Sequence, residues 1–159
     1  MKSICTSCDQ FDGKTIKRKL KELIVKQYLG ENNVEINFYD KIYPGGCSKR
    51  RPDFVISREW GRIIIEVDEF QHNRKNYPCE CEITRMKQIY FDIGEEYGKV
   101  IFIRYNPDNY IPSIGKPFET LERLKSLVYW INRYSSKEPE NYLTVQYLFY
   151  DGYTPYHRK

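Results

Sequence analysis

The stretch that most constrains the fold runs from Arg51 to His72 and reads RPDFVISREWGRIIIEVDEFQH. Ile63-Ile64-Ile65 is wholly apolar and gives way abruptly to Glu66-Val67-Asp68-Glu69, the pattern of a strand that crosses a core and carries acids out at its end. Asp53-Phe54-Val55-Ile56, following Pro52, reads as the strand before it, with Trp60-Gly61 at the connection, so the two predict a hairpin. Alternation along a strand sends Glu66 and Asp68 from one face while Val67 points to the other. Pairing about the connection brings Asp53 near the level of Glu66 to Asp68. Three carboxylates crowded in this way repel and raise one another's pKa values unless a hard divalent cation neutralises them. The bland reading of the same residues is a strand leaving the core into a solvated acidic turn. The company they keep argues against it: Arg51-Pro52 upstream, Gln71 and His72 downstream, and the order of elements around them.

That order is set by periodicity. From Lys14 to Leu29, Ile16, Leu20, Leu23, Ile24 and Tyr28 recur at steps of three and four, which predicts an amphipathic helix stopped by Gly30. Glu35 to Tyr39 alternates as a strand, and Tyr43-Pro44-Gly45-Gly46 forms a turn or loop. Ile83, Met86, Tyr90, Ile93 and Tyr97 mark a helix from about Glu80 to Tyr97, ended by Gly98; KVIFIR (Lys99 to Arg104) then reads as a buried strand. Phe118, Leu121, Leu124, Val128 and Ile131 mark a last long helix, and Leu143 to Tyr150 adds an edge strand. The expected fold class is therefore α/β or α+β, a mixed central sheet flanked by helices. A chain of 159 residues suits a single domain, with a short cysteine-bearing segment over 1–13, a core over 14–110, and a C-terminal helix and tail over 111–159.

Charge and cysteine usage narrow the function classes. Lys plus Arg is 26 against 22 for Asp plus Glu, and the excess is local: Lys14, Lys17, Arg18, Lys19, Lys21 and Lys26 face only Glu22, and Lys49, Arg50 and Arg51 follow. Such runs suit a polyanion such as nucleic acid, although a solvated helix face accounts for an isolated one. No apolar run is long enough to cross a bilayer and MKSICTSC carries no secretory h-region, so no membrane partner and an intracellular, cytoplasmic or nuclear, protein with reduced thiols are expected. Cys5 and Cys8 have the spacing of half a zinc site; Cys47, or Cys79 with Cys81, would have to complete it, and structural Zn²⁺ is the less favoured reading. Most of the 15 tyrosines read as core or amphipathic surface; Tyr105, Tyr110, Tyr153 and Tyr156 are the candidates for contact with bases.

The layout resembles the PD-(D/E)XK nuclease superfamily, whose core is a helix, three strands, a helix and a strand, with Pro-Asp opening the second strand and Glu-x-Lys ending the third. Pro52-Asp53 and Glu66-Val67-Asp68 fall on those positions. More narrowly it resembles the very-short-patch repair branch, through Arg51-Pro52-Asp53-Phe54, Ile65-Glu66-Val67-Asp68 with His72, and Glu82-Ile83-Thr84-Arg85. It is also similar to C-terminal domains of cysteine-rich proteins of large DNA viruses and algae, through Cys81 to Met86 and Arg104 to Asp108. The resemblance spans roughly Lys14 to Tyr110. It departs from the superfamily at Asp68, which stands where the lysine belongs, and from the repair branch at Glu69, which replaces a glycine.

The resemblance implies a metal-dependent endonuclease acting on nucleic acid, DNA in the first instance. Asp53, Glu66 and the Val67 carbonyl would hold Mg²⁺ (or Mn²⁺), and Asp68 would complete or support that metal shell. His72, oriented by Glu82, would serve as general base or leaving-group acid, and Glu22 is the candidate for an acid on the first helix. Lys17, Lys21, Arg50 and Arg51 would meet the phosphate backbone. Arg85 would either position a phosphate or pair with Glu82. A homodimer is open to a nuclease that cuts two strands. Two other readings stand beside this one: a nucleic-acid-binding module on the same fold without catalysis, and an interaction domain clipped by zinc.

Overall fold

The computed structural model of the chain describes residues 15–41, 50–69 and 79–155, the side chains of 15–19, 79 and 94–97 excepted. Its elements follow in the order α1 (Thr15–Glu31), β1 (Phe38–Tyr39), β2 (Phe54–Arg58), β3 (Gly61–Val67), α2 (Cys79–Tyr97), β4 (Lys99–Tyr105), α3 (Thr120–Ser135) and β5 (Leu143–Leu148). The five strands form one mixed sheet in the order β1-β2-β3-β4-β5. β1 to β3 are antiparallel neighbours, whereas β4 joins β3, and β5 joins β4, in parallel. Each parallel neighbour is reached through a helix, as a parallel connection requires. The mixed sheet, the helices on it and the extra edge strand after the last helix agree with the sequence; β1 is shorter than its alternation over Glu35 to Tyr39 suggests.

The strand pattern decides the layers. Alternation sends Phe54, Ile56, Ile63, Ile65, Ile101, Ile103 and Tyr105 to one face, where Val25 and Leu29 of α1 and Leu124, Leu127 and Ile131 of α3 cover them. Val55, Ile64, Val100 and Phe102 face the other way, under Met86, Ile89 and Ile93 of α2. Ile63-Ile64-Ile65 is an unbroken apolar run because both faces of β3 are covered.

The β2–β3 hairpin sets the register on which the site depends. Arg58 pairs with Gly61 and Phe54 with Ile65, so one step further Asp53 lies opposite Glu66. Gly61 makes this close approach workable: a Cβ there would lie 1.9 Å from the Lys99 carbonyl oxygen, and its φ is +152°. Tyr105 and Tyr110 are buried at 1% and 5% exposure, and Tyr105, Tyr110, Tyr153 and Phe118 all pack rings against Phe149. The expectation that Tyr105 and Tyr110 meet bases is thus corrected: an apolar cluster over the sheet end takes both rings. Tyr153 also joins that cluster, and Tyr156 lies outside the described residues. Among the described residues, no helix is long and apolar enough to cross a membrane.

Candidate functional site

The positions that continue the α2-facing set of each strand carry charge where the core ends. Beyond Val55 comes Asp53, beyond Ile64 come Glu66 and Asp68, and beyond Phe102 comes Arg104. Glu66 and Arg104 are register partners across β3 and β4. Helix α2 brings Glu82 and Arg85 over them. Glu66, Asp68 and Arg104 are buried, at 4%, 1% and 1% exposure, so their charges depend on one another and not on water.

Asp53 and Glu66 are held differently. Asp53 accepts a hydrogen bond at Oδ2 from the Val67 amide at 2.7 Å. Burial raises its pKa well above the ordinary carboxylate range, and Glu66 and Glu22 push it further. Glu66 accepts at Oε2 from Arg85 Nη2 at 3.0 Å, and the same nitrogen donates to the Arg51 carbonyl. Burial again raises the Glu66 pKa, opposed by Arg85 and Arg104. Its second oxygen, Oε1, is buried without a hydrogen-bond partner. In an extended strand a residue's N–H and C=O point the same way, so the Val67 carbonyl shares the edge on which its amide meets Asp53.

Asp68 has a different environment. Arg104 grips it with two nitrogens, Nε on Oδ2 and Nη2 on Oδ1, and the Tyr150 hydroxyl donates to Oδ2 as well. Burial and the Asp68 charge beside it raise the Tyr150 pKa far above its usual value, which keeps the phenol a donor. Glu82 lies 3.7 Å from Arg104 Nη2. The structure thus joins Asp53 with Glu66, and Asp68 with Arg104, within one cluster.

The remaining sequence candidates are placed as follows. Glu22, on α1, accepts a hydrogen bond from Tyr39, whose pKa is pushed up to about 12 by burial and by Glu22 itself; its charge also reaches Asp53. Lys21 pairs with Asp108 and, at 3.5 Å, with Glu69, tying α1 to the ends of β3 and β4. Arg50 donates through Nε to Gln88 on α2, and Arg51 is exposed. Arg85 meets Glu66. His72, Cys5, Cys8 and Cys47 lie outside the described residues, as do the side chains of Lys17 and Cys79; Cys81 is half-buried on the first turn of α2.

Two site residues have no counterpart in the sequence reading. Arg104 carried a signal, since it is the one cation among the apolar residues of KVIFIRY that follow Lys99, and a buried strand holds a cation only against an acid. Tyr150 carried none, because it reaches Asp68 from 82 residues away.

A divalent cation fits part of this chemistry. Glu66 Oε1 is an orphaned buried acceptor, and Asp53 is a second carboxylate whose charge burial and neighbouring acids disfavour, the two circumstances a hard cation relieves. Among the described residues no group of three or more His, Cys, Asp or Glu side chains stands ready to hold a metal ion; Asp68 is engaged by Arg104. The Val67 carbonyl is the further oxygen at hand. Comparison of the chain with models of protein families, with curated proteins and with solved structures gave no match.

Proposed function

We propose that this chain is a metal-dependent nuclease of the PD-(D/E)XK type that hydrolyses phosphodiester bonds in nucleic acid, with DNA as the first substrate to test. The observation that carries the reading is the pairing of Asp53 with Glu66 at the end of a core hairpin, with Glu66 Oε1 buried and unmatched. An acidic turn formed for solubility would leave its carboxylates in water, not buried against one another.

In this reading Asp53, Glu66 and the Val67 carbonyl hold Mg²⁺ or Mn²⁺, and Asp68 supports that shell through Arg104 without entering it. The bound cation supplies polarisation of the phosphoryl oxygen and a lowered pKa for an attacking water. Arg85 fixes the Glu66 carboxylate by one oxygen, leaving the other turned to the site. An imidazole nitrogen of His72, four residues after Asp68, is our choice for moving the proton. Arg51 and Lys17, from the basic run, meet the phosphate backbone, which gives affinity without sequence choice, whereas Lys21 is taken up by Asp108 and Glu69.

The test incubates the protein with labelled single- and double-stranded DNA and RNA in Mg²⁺, Mn²⁺ or EDTA, beside an Asp53→Ala/Glu66→Ala variant. Cleavage that needs the cation and is lost in the variant is the expected result. Binding without cleavage in every condition removes the enzyme and leaves a nucleic-acid-binding module.

A further inference from the structure

Within the acidic cluster, two atoms are each one partner short. Glu66 Oε1 is a buried acceptor with no donor, and Arg104 Nη1 is a buried donor with no acceptor. The two residues face each other in the β3–β4 register. Buried charged groups left incomplete are strongly disfavoured, and an ion or ordered water commonly completes them.

What surrounds Arg104 explains why Nη1 is spare. Asp68 takes Nε and Nη2 together, Tyr150 braces the same carboxylate, and Glu82 stands off Nη2 at 3.7 Å. A guanidinium is planar and rigid, so fixing one edge fixes the direction of the remaining nitrogen. The result is an anchored cationic donor beside an anchored anionic acceptor, both buried and each one partner short. An apolar ligand completes neither. An oxyanion accompanied by a divalent cation completes both with charge-assisted contacts, the oxygen on Nη1 and the cation on Oε1. The anion needs that cation, because four carboxylates (Asp53, Glu66, Asp68 and Glu82) outnumber the guanidinium groups of Arg85 and Arg104 here.

We propose that Arg104 is the phosphate-receiving residue of this site, its Nη1 donating to a non-bridging phosphate oxygen that arrives together with the cation held by Glu66. Asp68 and Tyr150 are then positioning residues for Arg104. That the phosphate belongs to a phosphodiester rests on the nuclease reading; the oxyanion position itself rests on the two incomplete atoms.

The experiment is a thermal-shift series on the full chain with Mg²⁺, with inorganic phosphate, and with both, chloride matching the ionic strength, for the wild type and Arg104→Lys. Lysine keeps the charge against Asp68 but has no planar fork with a third nitrogen. For the wild type, phosphate added to the Mg²⁺-bound protein raises Tm by about 2 °C or more. Arg104→Lys keeps the Mg²⁺ shift and loses the phosphate increment. An equal increment in both proteins, or none in the wild type, overturns the proposal while the Mg²⁺ shift leaves the metal reading standing. A phosphate increment that needs Arg104 but comes without any Mg²⁺ shift removes the metal reading and overturns the proposal with it, since the phosphate is held to arrive with the cation. If Arg104→Lys does not fold, a crystal structure of the wild type grown with Mg²⁺ and phosphate decides: an anion within hydrogen-bond reach of Nη1 supports the assignment, and an empty or water-filled position there overturns it.

Discussion

Removing the Asp68 charge leaves behind a guanidinium whose side chain is 1% exposed and whose best partner is gone. Breaking a buried pair from one side costs about 3–5 kcal/mol, because the survivor stays buried and uncompensated. Asp68→Asn is therefore expected to destabilise by that amount. Tyr150→Phe takes one donor from the same carboxylate and no charge, so it costs less, about 1.5–3 kcal/mol. Urea denaturation followed by circular dichroism checks the order. If Asp68→Asn left the midpoint unchanged, Asp68 would not be the counter-ion of Arg104. These two substitutions also separate the roles that sequence alone ran together. Asp68 projects from the same face as Glu66, as alternation requires, and so reads as a second ligand. What sets them apart is the partner each meets, and Arg104 and Tyr150 come from 36 and 82 residues further along the chain.

At the scale of elements, the β2–β3 hairpin aligns Asp53 with Glu66, and one glycine lets it lie against β4. Gly61→Ala puts a methyl group 1.9 Å from the Lys99 carbonyl oxygen, and neither strand can retreat without breaking ladder bonds. The expected loss is about 3 kcal/mol or more, at the upper end for a single substitution. Gly115→Ala serves as the contrast: its φ is +76° but nothing lies within 4 Å, so only backbone strain of about 1 kcal/mol applies. Denaturant midpoints at unchanged slope distinguish the two; a Gly61→Ala loss no larger than that of Gly115→Ala would show that β3 and β4 are not packed so closely. The hairpin itself was legible because the apolar runs flanking Trp60-Gly61 have few other ways to pair. The same holds for α2 and α3, whose apolar positions recur at steps of three and four, and for β4, whose apolar residues Val100 to Ile103 run unbroken. Lys21 was not legible in the same way. Its place in a basic run predicts a solvated cation, yet it bridges to Asp108 and Glu69, acids that only the folded sheet brings to α1. Tyr105 and Tyr110 failed for a related reason: a tyrosine's ring and hydroxyl suit a base and a core equally, and the sequence does not say which surface arrives.

For the whole molecule, the raised pKa values of Asp53 and Glu66 become a dependence of stability on pH. Between the ordinary carboxylate range, about 4, and their raised folded values, the folded protein holds protons that the unfolded chain has released. Stability then falls as pH rises. The contribution from these two groups is fully present below the unfolded values and is lost as pH climbs through the folded ones. Arg85 and Arg104 temper the effect at Glu66 without reversing it, so Asp53 is the group to isolate. In EDTA, Asp53→Asn is expected to remove part of the decline, giving a higher Tm than the wild type at pH 7 and little difference near pH 4. A divalent cation acts on the same groups from the other side, since it binds ionised carboxylates and must displace their protons. Mg²⁺ is therefore expected to raise the wild-type Tm more at pH 8 than at pH 5, and to raise that of Asp53→Asn less at either pH. Scanning calorimetry from pH 4 to 8, with Mg²⁺ and with EDTA, measures both trends. A wild-type Tm that rises steadily over that range in EDTA, with no gain from Asp53→Asn, would mean that the carboxylates are satisfied without a cation, and the argument for a metal at this site would fail with it.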